Sequence, residues 1–204
     1  MVRTIEDTYL ADIAQAIRAK TGADDTYKPS EMAEAIEGIA AGGGGNDAAN
    51  YLVSNRAGLT SYTFPEGTTL IAPYAFFNCT NLVLSELPET ITTIGQSAFQ
   101  GCSALAITRL PEGITDIETS SFGSCKGLTT MTIPAGVQYI WTSAFSFCTN
   151  LTTVTFEGTP EEIAENAFNY CNKLTSIRVP WTEGAVAGAP WGATKATITY
   201  NYTE

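Results

Sequence analysis

The stretch SAFQGC, residues 97–102, returns as SSFGSC at 120–125, SAFSFC at 143–148 and NAFNYC at 166–171, and its first form is YAFFNC at 74–79. Aligned on it, Phe76, Phe99, Phe122, Phe145 and Phe168 recur at a constant step of twenty-three, as do Cys79, Cys102, Cys125, Cys148 and Cys171. Ile71, Ile94, Ile117, Ile140 and Ile163 keep the same step, and so do Leu82, Leu105, Leu128, Leu151 and Leu174, with no insertion anywhere in the series. A strand-like run follows each Leu and usually ends at proline, as in Leu87-Pro88, Leu110-Pro111, Ile133-Pro134 and Val179-Pro180. A strict period of this length predicts one winding of the backbone per repeat, with equivalent side chains stacked winding upon winding. A single winding exposes most of its apolar row, so stability has to come from neighbours that cover it.

Two degenerate copies in the same register read as caps. Before the full repeats, Val53 takes the Phe position, Arg56 the Cys position and Leu59 the Leu position, and Phe64-Pro65 ends the run; after them come Trp191, Thr194 and Thr197. Polar or oversized residues in these places suit terminal coils that meet water. The alternating stretch ATITYNY, 196–202, predicts a closing edge strand.

The five cysteines are read as filler. Cysteine behaves in cores as a compact hydrophobe. An odd number of thiols projecting in parallel does not suit disulfide pairing. A metal site would need converging thiolates, and a catalytic thiol would need a base. The chain has no histidine, which removes Ser-His and Cys-His nucleophile systems, His-ligated zinc and His general bases. The spacing therefore predicts reduced, inert thiols, no cofactor and no metal.

Residues 1–41 differ in kind. Leu10, Ile13, Ala14 and Ile17 fall on one helical face, and a second helix beginning near Pro29 aligns Met32, Ile36 and Ile39. Two short helices are too small to stand alone, so the hairpin is expected to dock on the solenoid, on a larger assembly or on a second copy of the chain. The glycine run at 42–48 reads as a linker; it is no phosphate loop, because no Lys-Ser or Lys-Thr follows it. The organisation expected is a helical hairpin at 1–41, the linker at 42–48 and a solenoid at 49–204, divided into an N-terminal cap at 49–70, full repeats at 71–180 and a C-terminal cap at 181–204.

Ten basic against twenty-one acidic residues give a net charge of -11, which repels polyanions and argues against nucleic acid as a partner. No apolar stretch approaches the roughly 18 residues of a membrane helix, and MVRTIEDTYL lacks the basic and apolar regions of a signal peptide, so neither membrane insertion nor a leader is expected.

The phrase I-x-x-x-A-F-x-x-C-x-x-L, followed by x-x-[IVMS]-x-[LIFV]-P over residues 71–180, resembles the BspA-type leucine-rich repeat. The resemblance implies a β-rich leucine-rich-repeat solenoid, here of five full coils plus two degenerate caps after a small α-helical hairpin. It also implies a non-enzymatic protein engaged in adhesion. LADIAQAIRAKTGADDTYKPSEMAEAIEGI, residues 10–39, and the ending from Val179 onward are similar to segments of phage and prophage tail proteins. Those likenesses imply a tail-associated adhesion protein of the virion, its hairpin anchored to virion structural proteins or to itself, and its solenoid binding a host-surface protein or glycan. The alternatives are a bacterial cell-surface or secreted adhesin, and a purely architectural virion decoration protein.

Aromatic residues outside the ladders are candidate contacts. Tyr139 and Trp141 flank the inward Ile140 and should project outward together, while Phe147 and Tyr170 occupy equivalent positions in successive coils and should stack. Clustered exposed rings on a rigid face grip proteins or sugar rings; the alternative is that they cover the chain itself. Glu66, Glu89 and Glu112 each follow a proline and form an acidic edge, read as solvated because no calcium-loop spacing accompanies it. No carboxylate pair is singled out for glycoside cleavage.

Overall fold

The computed structural model describes residues 58–203. The predicted hairpin with Leu10, Ile13, Ile17, Met32, Ile36 and Ile39, the linker, and the cap positions Val53 and Arg56 lie outside the described residues.

The described part is a β-solenoid built from nine short strands, every pairing parallel. One side carries two-residue strands at the isoleucine ladder: β1 (Leu70–Ile71) pairs with β2 (Thr93–Ile94), and β3 (Asp116–Ile117), β5 (Tyr139–Ile140) and β7 (Glu162–Ile163) form a second row. The other side carries β4 (Thr130–Ile133), β6 (Thr153–Phe156), β8 (Ser176–Arg178) and β9 (Thr197–Thr199) in that order. Register confirms the period: Ile71 lies beside Ile94, Ile117 beside Ile140 and Met131 beside Val154. No helix among the described residues is long and apolar enough to cross a membrane.

Between the ladders the inward residues fill a continuous core. Phe99, Phe122, Phe145 and Phe168 are fully buried, and successive rings from Phe76 to Phe168 stack nearly parallel with centroids 5.2, 5.5, 5.4 and 5.3 Å apart. Offset stacking of this kind adds to area burial. The windings turn tightly through left-handed residues, at Tyr74, Ser97, Ser120 and Ser143 before the Phe in the first four full coils and at Asn78, Gly101, Ser124, Phe147 and Tyr170 after it in all five.

Two expectations are corrected. A strand-like run is expected after every ladder Leu, yet the runs after Leu82 and Leu105 form no strand; there Leu84 and Ile107 are buried, while Ser85 and Thr108, at the repeat positions of the buried Met131 and Val154, are exposed. There the buried residues are three apart (Leu84 and Leu87, Ile107 and Leu110), whereas Met131 and Ile133, Val154 and Phe156, and Ile177 and Val179 are two apart. Only the second spacing matches the two-residue alternation of a strand, and only these later runs form β4, β6 and β8; Arg109 joins Thr132 through an isolated bridge.

The second correction concerns the C-terminal cap. β9 is a strand as expected, but Ser176 lies beside Thr197 and Ile177 beside Ile198, a step two short of the repeat. The turn before it is also shortened. The Leu174 amide donates to the Cys171 carbonyl, and its counterpart is the Ala196 amide donating to Ala193. Ala193 and Ala196 therefore stand in the Cys and Leu positions predicted for Thr194 and Thr197, both of which are exposed. Trp191 does not meet water in the Phe position; it is the largest fully buried side chain, its ring contacts are with Phe156 and Trp181, and its indole Nε1 donates to the Ala187 carbonyl at 2.6 Å. A shorter turn lets one large ring close the end of the core.

Candidate functional site

The ladder cysteines are the first candidates to place. All five are free thiols, and at most 5% of any of them is exposed. They do more than fill space. Sγ of Cys102 donates to the Phe76 carbonyl at 3.0 Å, and Cys125 to Phe99, Cys148 to Phe122 and Cys171 to Phe145 at 3.0, 3.1 and 3.0 Å. Each of these four thiols thus ties its turn to the carbonyl of the Phe one coil back. The signal available in sequence was the choice of Cys at every step where Ala would pack; its use as a weak donor needs the inter-coil distance. Burial pushes the Cys125 and Cys148 thiols up, so they stay protonated and hold these hydrogen bonds.

The acidic edge is built into structure. A Glu89 carboxylate oxygen accepts from the Glu112 amide at 3.1 Å, and Glu112 pairs with Arg109. Arg109 also makes a bidentate bridge to Glu157, with nitrogen to oxygen distances of 2.5 and 2.7 Å. Hydrogen bonding to Glu157 raises the Arg109 pKa, and the same bond lowers that of the Glu157 carboxyl. Among the described residues, no three Cys, Asp or Glu side chains converge as metal ligands.

Surface aromatics remain. Phe147 and Tyr170 are 47% and 53% exposed, and their rings stack with centroids 4.4 Å apart and planes 19° from parallel. Both backbones are left-handed, φ 61° and 59°, at the coil position that Asn78, Gly101 and Ser124 hold in the preceding windings. Asn, Gly and Ser tolerate that conformation or lack bulk, whereas a large ring there is an outlier. Tyr139 and Trp141 also stack, at 5.6 Å and 16°, on the outward side of β5. Trp141 is 38% exposed and Tyr139 is half-buried; the Tyr139 hydroxyl donates to Glu161 at 2.5 Å and the Trp141 indole to Asp116 at 3.3 Å. Hydrogen bonding to Glu161 holds the Tyr139 phenol above its ordinary pKa.

Sequence reasoning missed Val83, which is 56% exposed, and the open hollow of about 360 Å³ beside it, lined by Tyr62, Phe64, Leu84 and Leu87 among others. That hollow exists where the run at 84–87 leaves the strand path, a departure that the spacing of the repeat does not announce.

Parallel coils of fixed step, a leucine and phenylalanine interior and outward side chains free to vary define a leucine-rich-repeat scaffold. The chain matches the family model described as BspA type Leucine rich repeat region in six copies over residues 48–180, and it belongs to that family. The sixth copy extends the match ahead of residue 71, into the stretch read as a degenerate cap. Among solved structures it is similar to a leucine rich cell surface protein from Faecalibacterium prausnitzii, with 28% identity and a TM-score of 0.58, over 62% of this chain and 33% of that one. A T. pallidum leucine rich repeat protein is similar at 27% identity and a TM-score of 0.55, over 71% and 70% of the two chains. A Bacteroides ovatus leucine-rich repeat protein, 20% identical with a TM-score of 0.54 over 70% and 42%, shares the fold. The chain thus spans about a third of the length of the Faecalibacterium protein. No curated protein matches it.

Proposed function

We propose that this chain is a non-catalytic recognition module carried at a bacterial surface, whose solenoid presents exposed aromatic pairs to a host-surface protein or glycan. The observation that carries this reading is the pair Phe147 and Tyr170. Two bulky residues occupy left-handed turns, a conformation that disfavours side chains by about 1–2 kcal/mol, where neighbouring coils use Asn, Gly or Ser, and about half of each residue is exposed. Backbone strain retained to display apolar surface fits contact with a partner. The likeness to a cell surface protein supports the location.

The test is adhesion of fluorescently labelled chain to whole cells and glycan arrays. The chain should bind, and Phe147→Ser/Tyr170→Ser or Tyr139→Ser/Trp141→Ser should release it. Binding unchanged in both double variants would remove the aromatic pairs from the reading, and absence of binding to any surface would favour pure decoration.

A second reading rests on residues 10–39 and the segment from Val179 onward, whose wording is similar to phage tail proteins. In it the same solenoid serves on a virion, and Leu10, Ile13, Ile17, Met32, Ile36 and Ile39 anchor it to virion proteins or to a second copy. Genes for tail components beside this one, and the chain's presence in purified virions, would select it. Leu10→Asp/Ile13→Asp should lower the mass of any self-assembled species in light scattering.

A further inference from the structure

The outward face of β3, β5 and β7 has a charge pattern of its own. Isoleucines 117, 140 and 163 point inward, so the residues beside them point out. Register sets Asp116, Tyr139 and Glu162 side by side across three coils. One step beyond the isoleucines, the backbone bonds from Trp141 to Ile117 and from Ala164 to Ile140 continue the ladder, placing Trp141 between Glu118 and Ala164. Glu161 closes on the Tyr139 hydroxyl. The stacked rings are thus surrounded by Asp116, Glu118, Glu161 and Glu162, and the small Ala164 leaves one flank of the indole without a bulky neighbour.

Among the described residues, no hydrogen bond or ion pair joins a basic side chain to these carboxylates. The five Lys and Arg residues between 58 and 203 are Arg109, Lys126, Lys173, Arg178 and Lys195, and none belongs to these three strands. Arg109 is engaged by Glu112 and Glu157, Lys173 by Asn150, and Arg178 lies over the Tyr202 ring. Aromatic faces attract cations through their ring quadrupole, most strongly for Trp, and neighbouring carboxylates add to that attraction. A neutral sugar would meet the rings and offer hydroxyls to the carboxylates but leave their charge uncompensated, whereas a cation matches both; an anionic partner would be repelled.

We infer that the β3-β5-β7 face binds a lysine- or arginine-rich polypeptide segment, with a cationic side chain seated against Tyr139 and Trp141 among Asp116, Glu118, Glu161 and Glu162. This rests on the recognition reading above and names the chemistry of one partner. The dimensions suit an extended segment: successive coils lie about 4.8 Å apart and an extended chain advances about 3.3 Å per residue, so three or four residues cross the three strands. The hydrogen bonds from Tyr139 to Glu161 and from Trp141 to Asp116 hold the rings in position beforehand, which lessens the ordering loss on binding.

The experiment titrates the full chain against fluorescein-labelled octalysine, with acetyl-lysine octamer as the uncharged control, by fluorescence anisotropy at low and high salt. The octalysine should bind, the acetylated peptide should not, and affinity should fall as salt rises. Trp141→Ala should weaken binding about fivefold, the equivalent of one exposed cation–ring contact, while Trp141→Phe keeps most of the affinity. Glu118→Gln, which leaves the rings in place, should also weaken it, and by more than Glu86→Gln, which removes an exposed charge from the run at 84–87, one repeat before Arg109 on the side that carries β4. Equal affinity in Trp141→Ala and the parent, or equal effects of the two glutamine variants, would show a diffuse acidic field and overturn the inference, as would no binding of octalysine. If octalysine fails while whole cells still capture the chain, only the partner chemistry falls; if cell binding fails and octalysine holds, the recognition reading falls alone.

Discussion

Ser121 offers a measurable consequence of the ladder. It stands immediately before Phe122, at the position that Ala75, Ala98, Ala144 and Ala167 occupy in the other coils, and it is fully buried. Its Oγ has no hydrogen-bond partner. A buried hydroxyl left unpaired costs about 1–3 kcal/mol in lost hydration. Ser121→Ala removes that loss and leaves a void the size of one oxygen, worth only a few tenths of a kcal/mol at ~24 cal/mol per Å³. The variant should therefore be more stable by about 1–2 kcal/mol. For a chain of this size that corresponds to a rise in Tm of about 2–8 °C. Urea unfolding followed by circular dichroism reads it as a higher midpoint with unchanged slope. The reciprocal change, Ala144→Ser, should destabilise by a similar amount. A lower midpoint for Ser121→Ala would mean that the hydroxyl is paired and that the alanine row is not the apolar ladder described above.

Further outcomes follow from the same geometry. The native thiols should resist a small thiol reagent and all react in urea; Cys125→Ala should lose about 1–2 kcal/mol through the missing bond to the Phe99 carbonyl and the missing sulfur volume. Because burial raises the Cys125 and Cys148 pKa, the folded state keeps protons that unfolded thiols release near pH ~8.5, so their share of stability is intact below that pH and declines as pH rises above it, less steeply in Cys125→Ala. Gly127→Ala should destabilise by about 2 kcal/mol or more in the same urea assay, since a Cβ there would sit 2.3 Å from the Leu105 carbonyl oxygen of the preceding coil. Arg109→Ala should remove no more than about 1 kcal/mol, because the Arg109 and Glu157 side chains are 37% and 26% exposed and solvent screens the pair, and the loss should shrink in high salt.

Much of the candidate surface was legible in advance because it is defined by exclusion. Once Ile140 is assigned inward, Tyr139 and Trp141 must face out; once Phe145 and Cys148 are inward, Phe147 cannot join them. The left-handed backbone under Phe147 and Tyr170 was not legible, because aromatic residues carry no preference that announces it. Nor was the acidic surround of Trp141, since Asp116, Glu118 and Glu161 approach it only through the stacking of three coils.

Sequence alone determined the winding: an unvarying interval with the same apolar types at each return can bury itself in only one repeating way, so the Ile, Phe, Cys and Leu rows and their neighbours across coils follow from counting. Tertiary structure alone decided where the count breaks or acquires new chemistry. Leu84 and Ile107 turn inward out of phase, the last coil shortens so that Trp191 can plug the core, and each ladder thiol from Cys102 onward finds a carbonyl 26 residues back. Periodicity specifies which residues share a height on the stack; the direction a side chain takes and the atom it meets depend on local backbone path and on distances between coils, which no interval along the chain encodes.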